Sequence, residues 1–144
     1  MEWKCILSPS VIGMLEKHIE KKEDAYYDAF IKTHAVEEVK MVKHVILWTL
    51  KEEYSDDQTA EIKAGIKSGL EGLKGVVPGL IDIKVNINPL ASSNCDLMLD
   101  STFENEEALK GYAVHPSHVD VANTKVRPFT ASRACMDYVE NGHP

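Results

Sequence analysis

The sequence has few cysteines, no long apolar run and no cluster of basic residues, and each absence excludes a class of protein. The three cysteines are Cys5, Cys95 and Cys135, an odd set without a Cys-x-x-Cys pair, so neither a disulfide framework nor a thiolate zinc site is expected. The longest apolar runs are far shorter than the ~20 residues of a membrane-spanning helix. With 16 basic and 23 acidic residues the formal net charge is −7, and an acidic chain repels the phosphates of nucleic acids.

Size and composition are typical of a globular protein with a core of its own. The chain has 144 residues, of which 44% are hydrophobic and 27% are charged, and at this length a core needs no disulfide or metal to be stable. We expect no signal peptide in the first residues, because the Ser8-Pro9-Ser10 triplet interrupts their apolar part and no small-residue cleavage site follows. We therefore expect a cytoplasmic protein that binds neither nucleic acid nor a membrane.

The pattern of the chain changes near residue 40. Residues 1–40 are charged and carry apolar side chains at helical spacing, which predicts an N-terminal helical extension that docks on the following domain or on a second subunit. Residues 41–140 alternate between strand and helix patterns. The sequence thus predicts two parts, the extension over residues 1–40 and an α+β domain over residues 41–140.

The α+β domain is predicted to have the element order β-α-β-β-α-β. Strands are expected over residues 42–50, 81–88, 95–103 and 132–139. One helix begins at Ser55, which can form a capping box with Gln58; a second begins after Asn105, and a short helix or turn follows over residues 116–125. This order is typical of a ferredoxin-like fold, in which an antiparallel four-stranded sheet carries its helices on one face. Met136, on the last strand, is expected in the core.

The first strand predicts a partner for the sheet. Its alternating residues from Val42 to Leu50 form one apolar face, but Val45 and Leu47 make the opposite face apolar as well. The helices of the chain cover only one face, and a large exposed apolar surface is typical of an interface. We therefore expect a homodimer.

His44 is the first candidate for chemistry because it lies among apolar neighbours on the first strand. A buried imidazole needs hydrogen-bond partners, and its pKa near neutrality suits acid–base catalysis. The residue is therefore either a core histidine with satisfied hydrogen bonds or a catalytic group. The histidines at positions 18, 34 and 143 lie in charged or terminal segments and are expected to be solvated.

A second histidine cluster lies in the His115-Pro116-Ser117-His118 segment. We expect no metal here, because Pro116 biases His115 away from helical geometry and the segment supplies no third ligand. Pro116 can instead begin a short helix that directs His118 inward, and Tyr112 can hydrogen-bond an oxyanion or a phenol. The sequence has no phosphate-binding glycine loop, no nucleophile elbow and no recognisable Cys/His nucleophile pair, so no cofactor is expected.

Three motifs of residues 41–139 occur together in one known family. They are Met41-Val42-Lys43-His44-Val45, Phe103-Glu104-Asn105 before the second helix, and Tyr112-Ala113-Val114-His115-Pro116-Ser117-His118-Val119. In this combination the chain resembles the stress-responsive A/B barrel (Dabb) family. The resemblance implies a dimeric α+β barrel, in which the sheets of two subunits face each other.

The same resemblance implies roles for individual residues. The family contains stress-associated proteins without an established reaction and a few small-molecule enzymes, among them a plant cyclase that closes a polyketide ring without a cofactor. By similarity to that cyclase, His44 and His118 would be a catalytic pair and Tyr112 a pocket tyrosine, whereas Ile66 stands where the cyclase has a second pocket tyrosine. The residues expected to contact a ligand are Ile46, Trp48, Ile66 and His115.

Several functions remain open at this point. The first is cofactor-free acid–base chemistry beside a carbonyl, of the aldol, cyclase or isomerase type, on a small apolar or phenolic ligand. Its variant is cofactor-independent monooxygenation. The second is a non-enzymatic, stress-responsive homo-oligomer in which both histidines are structural. A third, an accessory subunit for another protein, depends on the N-terminal helix alone.

Overall fold

The computed structural model describes residues 40–141 of the chain, and Lys40–Glu140 form one unit. The predicted N-terminal helical extension lies outside the described residues, as do Cys5 and the histidines at positions 18, 34 and 143. Within the described part, no helix is long and apolar enough to cross a membrane.

The described residues form a ferredoxin-like α+β fold, as predicted. The strands are β1 (Lys40–Leu50), β2 (Leu80–Asn86), β3 (Leu97–Phe103) and β4 (Thr130–Asn141). The helices are α1 (Asp56–Glu71), α2 (Glu106–Val114) and α3 (Pro116–Val121). A π-helical turn over Ala122–Val126 and a 3-10 turn over Arg127–Phe129 connect α3 to β4. The short helix or turn expected after residue 116 is thus three consecutive helical segments.

The helices begin where the sequence predicts. Ser55 and Gln58 form the reciprocal capping box at the start of α1. The side chain of Asn105 caps α2 by accepting a hydrogen bond of 2.8 Å from the backbone N–H of Ala108. Each cap satisfies backbone donors that a helix end leaves without an intrahelical partner.

The strand order is β2-β3-β1-β4, so β1 and β3 form the centre of the sheet. Both β1 and β2 pair with β3 in the antiparallel sense, and His44 lies opposite Ser101. The helix-covered face of β1 is buried at every second residue, which confirms the predicted alternation. On this face the core residues of β1 are Val42, Ile46, Trp48 and Leu50.

The start of β2 differs from the predicted alternation. Leu80 pairs with Phe103 and Asp82 pairs with Thr102, so Ile81 is an extra residue that forms a β-bulge. As a result Leu80 is buried, whereas Ile81 is 40% exposed. In the sequence Ile81 alternates in step with Ile83 and Val85, which would place all three on the buried face. The bulge breaks this alternation, so Leu80 takes the buried position instead of Ile81.

The face of the sheet opposite the helices exposes apolar side chains. Leu47 is 37% exposed, Tyr138 is 44% exposed and Met136 is 66% exposed. The expectation that Met136 belongs to the core is therefore wrong: β4 is an edge strand, and Met136 lies on its uncovered face. The exposure of Leu47 agrees with the apolar open face expected from the sequence.

Candidate functional site

Three elements bring His44, Tyr112 and His118 together on the helix-covered side of the sheet. His44 is on β1, Tyr112 on α2 and His118 on α3. The ring centroids of Tyr112 and His118 are 4.0 Å apart, and those of His44 and Tyr112 are 5.9 Å apart. The three residues expected to carry chemistry are thus neighbours in the structure.

The position of His118 depends on the break between α2 and α3. His115 has an extended backbone conformation, and Pro116 follows it as the first residue of α3. The ring Nδ1 of His115 accepts a hydrogen bond of 3.1 Å from the backbone N–H of Ser117. His115 therefore caps α3, and the change of chain direction places His118 beside Tyr112.

A cavity of about 200 Å³ lies next to these three side chains. Its apolar wall includes Ile46, Trp48, Leu70, Leu99, Leu109 and Val126. Its polar lining consists of His44, Tyr112, His118, Arg127, Thr130 and Arg133. The expected ligand contacts Ile46 and Trp48 are in this wall.

The two other expected ligand contacts lie elsewhere. Ile66 is completely buried and belongs to the core cluster, and neither Ile66 nor His115 is among the described residues that line this cavity. In the case of His115 the reason is its role as a helix cap. In the case of Ile66 the reason is its place on α1, where the side chain packs into the core.

Two polar atoms at the cavity have no hydrogen-bond partner among residues 40–141. They are the hydroxyl of Tyr112 and the Nδ1 atom of His118, and both are buried. A buried polar atom without a partner costs about 1–3 kcal/mol of folding free energy. The fold thus retains two unsatisfied groups on residues that line one cavity.

The surroundings of Tyr112 and His118 favour their neutral forms. Burial raises the pKa of the Tyr112 phenol well above its usual value, although the charge of Arg133 opposes this shift. Burial also lowers the pKa of His118, and nearby His44 and Arg127 lower it further, against the opposing effect of the Ala113 and Tyr112 carbonyls. At neutral pH the site therefore offers a neutral phenol that can donate a hydrogen bond and a neutral imidazole that can accept one.

A carboxylate on β4 orients His44. Asp137 Oδ1 lies 2.5 Å from His44 Nδ1, so the Nδ1–H group donates to the carboxylate and the lone pair of Nε2 stays available. Asp137 is 93 residues from His44 in the sequence. Only the pairing of β4 beside β1 brings the two residues together, and no local motif indicates it.

Cys135 lies beside this pair. Its Sγ atom is 3.9 Å from His44 Nδ1 and 3.5 Å from Asp137 Oδ1. Cys135 and Asp137 occupy the same face of β4, and both approach His44 on β1. The sequence analysis did not identify this proximity, because no local spacing indicates it. Burial raises the pKa of the Cys135 thiol, and the charge of Asp137 raises it further.

The fold agrees with a match to a known family. Residues 42–140 match the model of the Stress responsive A/B Barrel Domain, Dabb. The chain belongs to the Dabb family. No curated protein matches the sequence, so the family is the level at which the comparisons identify the chain.

Solved structures support the same fold. A dimeric ferredoxin-like protein of unknown function from Bacteroides fragilis is 30% identical, with a TM-score of 0.64 over 68% of this chain and 94% of that chain. A Dabb family protein from Mesorhizobium loti is 18% identical, with a TM-score of 0.57 over 72% of this chain and 99% of that chain. A hydroxynitrile lyase from Passiflora edulis is 17% identical, with a TM-score of 0.57 over 73% of this chain and 97% of that chain.

Proposed function

We propose that this Dabb protein binds a small apolar or phenolic molecule in its cavity and abstracts a proton beside a carbonyl without a cofactor. The observation that carries the proposal is the pair of unsatisfied polar atoms, the Tyr112 hydroxyl and His118 Nδ1, on residues that line a cavity with an apolar wall. A ligand oxygen that hydrogen-bonds to them would relieve the penalty of their burial. Pockets for small molecules combine apolar walls with a few convergent polar groups of this kind.

The volume of the cavity limits the size of the ligand. At about 200 Å³ it is smaller than the roughly 300–1,000 Å³ of pockets for drug-sized molecules. An engineered apolar cavity of about 150 Å³ is large enough for benzene. We therefore expect a ligand with a single ring, or an open-chain molecule of similar volume.

The positions of the polar groups suggest their roles. With Nδ1 bonded to Asp137, His44 can accept a proton at Nε2 from the carbon next to a carbonyl, and Asp137 stabilises the resulting imidazolium. The protonated Tyr112 phenol can donate to the enolate oxygen that forms. His118, held neutral by burial, is the second acid–base group, and the proton returns to carbon or to oxygen to complete the reaction.

We further propose that the protein is a homodimer with its open sheet faces in contact. Leu47, Met136 and Tyr138 make that face apolar and exposed, and the Bacteroides fragilis relative is described as dimeric. Two facing sheets would form the barrel that the family name describes. Sedimentation of wild type and Met136→Glu tests this proposal: a dimer that the variant weakens supports it, and a wild-type monomer at micromolar concentration contradicts it.

We also propose that the protein is located in the cytoplasm. Free Cys95 and Cys135 support a reducing compartment such as the cytoplasm. The alternative function is that of a stress-responsive homo-oligomer that catalyses no reaction. The catalytic test below distinguishes this alternative from the proposed enzyme. In that case the same residues would be present, but no ligand would be turned over.

The test of the proposed reaction is exchange of deuterium for hydrogen next to the carbonyl of cyclohexanone, followed by NMR. We expect wild type to accelerate the exchange, and His118→Gln and Tyr112→Phe to reduce the acceleration by about 10²-fold or more. The matched control is Lys110→Gln, an exposed position on α2, which should exchange like wild type.

Ligand binding is measured in parallel, by NMR shift changes on addition of phenol. Acceleration that is the same in wild type and in both site variants would contradict the acid–base roles. Binding of phenol without any acceleration would support a binding protein instead of an enzyme.

A further inference from the structure

We propose that His44, Cys135 and Asp137 form a binding site for a divalent transition-metal ion, for which Zn²⁺ is the best match. One donor atom of each residue, the imidazole Nδ1, the thiol Sγ and a carboxylate oxygen, lies within 4.8 Å of the other two. Imidazole, thiolate and carboxylate are all ligands of Zn²⁺ in proteins. The site shares His44 with the acid–base roles proposed above. An ion on Nδ1 leaves Nε2 protonated, so the ion-bound form and the proposed base exclude each other at this residue.

The distances between the donor atoms are close to those of a tetrahedral ion. Two ligand atoms bound to the same tetrahedral Zn²⁺ ion lie at a distance that its bond lengths fix. This distance is about 3.5–3.6 Å between sulfur and nitrogen or oxygen, and about 3.3 Å between nitrogen and oxygen. The observed separations are 3.9 Å for Sγ to Nδ1 and 3.5 Å for Sγ to Oδ1. Only the Nδ1 to Oδ1 separation, at 2.5 Å, must widen, because the ion replaces the proton of that hydrogen bond.

The charges of the three ligands also match a divalent cation. A thiolate, a carboxylate and a neutral imidazole carry −2 in total. When the ion binds, Cys135 loses its thiol proton to solvent, and the remaining proton of His44 moves from Nδ1 to Nε2. One proton is therefore released for each ion bound. The guanidinium of Arg133 lies near Cys135 and opposes the cation, but it also favours the thiolate that the ion requires.

The same geometry excludes a nucleophilic role for this cysteine. In a Cys-His-Asp catalytic triad the thiol and the carboxylate contact opposite ring nitrogens. Here Cys135 and Asp137 both approach Nδ1 of His44. Such convergence on one nitrogen is unsuited to proton relay and is suited to a shared cation.

Access to the site and its open coordination are consistent with an exchangeable ion. Cys135 and Asp137 are exposed, whereas His44 is buried, so an ion can enter from the β4 side. Three protein ligands leave a fourth tetrahedral position for water or another small molecule. This arrangement differs from closed structural zinc sites, which use four protein ligands.

The test is titration of the full-length protein with Co²⁺, which substitutes for Zn²⁺ and gives a near-ultraviolet absorption band when a thiolate binds it. We expect the band in wild type, in Cys95→Ser and in Cys5→Ser, and its complete loss in Cys135→Ser. Asp137→Asn should weaken Co²⁺ binding at least tenfold, since it removes one charged ligand. Calorimetry of Zn²⁺ binding in two buffers should show release of one proton for each ion.

The three cysteine variants make the outcome decisive. A band that persists in Cys135→Ser, or that disappears in Cys5→Ser or Cys95→Ser, overturns the assignment, as does a wild-type protein that gives no band. Circular dichroism of the metal-free variants verifies their folding. Because the readout is absorption and not catalysis, failure of this proposal leaves the proposed reaction intact, and the reverse also holds.

Discussion

The helical layer has two halves, α1 on one side and α2 with α3 on the other, and they differ in whether their buried polar atoms have hydrogen-bond partners. On one half α1 packs against β2, with Ile66 fully buried. On the other half α2 and α3 lie near a cavity, and Tyr112 and His118 each keep a buried polar atom without a partner among the described residues. The first half has its buried side chains packed in the core, and the second half retains two polar atoms without a partner among residues 40–141.

The ion pair between Lys67 and Glu71 on α1 shows that polar groups of the first half have partners within the protein. Glu71 Oε2 accepts hydrogen bonds of 2.9 Å from Lys67 Nζ and 2.9 Å from the backbone N–H of Val85, and Lys67 also donates to the Val85 carbonyl. Burial alone would raise the pKa of Glu71, but these partners lower it below its usual value. Glu71 Oε2, Lys67 Nζ and both backbone polar groups of Val85 thus have partners within the protein.

The largest expected effect is the loss of stability in Ile66→Ala. Ile66 is completely buried, and truncation of a buried isoleucine leaves a cavity that costs about 2–5 kcal/mol. Urea unfolding measures the loss, with Val114→Ala as the control because Val114 is 74% exposed on α2. Similar midpoints for the two variants would show that α1 does not form the stable half.

An intermediate effect is expected from two buried hydroxyls. Ser101 donates a hydrogen bond of 2.7 Å to the His44 carbonyl, so Ser101→Ala should lower the free energy of unfolding by about 1 kcal/mol. The Tyr112 hydroxyl has no such partner in the described structure, so Tyr112→Phe should leave stability unchanged or raise it by up to about 1 kcal/mol. Urea unfolding compares both with wild type. If Tyr112→Phe were the more destabilising variant, the hydroxyl would have a structural role.

The smallest expected effect is in the pH dependence of stability. The pKa of His118 is lower in the folded protein than its usual value near 6.5, so the unfolded chain takes up a proton there more readily. Stability due to the neutral imidazole is therefore present above about pH 6.5 and is lost as the pH falls below that value.

Unfolding free energies at about pH 7.5 and about pH 5.5 test this effect, since most carboxylates stay ionised in that range. Wild type should lose more stability between these two conditions than His118→Gln. An equal loss in both proteins would mean that other groups account for the pH dependence.

Local patterns of the sequence were sufficient for most of the fold. Alternating apolar residues predicted β1, and Ser55 and Asn105 marked the starts of α1 and α2. The bulge at Ile81 was missed because it depends on pairing with β3, which the β2 sequence does not contain. Met136 was misplaced because burial of a strand residue depends on which face the helices cover.

The candidate site was predictable only in part, because some of its contacts depend on strand pairing that the local sequence does not contain. The histidine and tyrosine motifs indicated His44, Tyr112 and His118, which the structure brings together. Cys135 and Asp137 are 91 and 93 residues from His44, and no spacing rule connects residues so far apart. Their proximity follows from the position of β4 beside β1.

A glycine that does not line the cavity affects the position of Tyr112, which does. Gly79 has a positive φ of 81°, and a Cβ atom there would lie only 2.5 Å from the Cβ of Ala108 on α2. Ala108 is one helical turn before Tyr112, so any side chain at position 79 would force that turn outward and lift the phenol away from β1. The shape of the cavity therefore depends on the absence of a methyl group at position 79 as much as on the side chains that line the cavity.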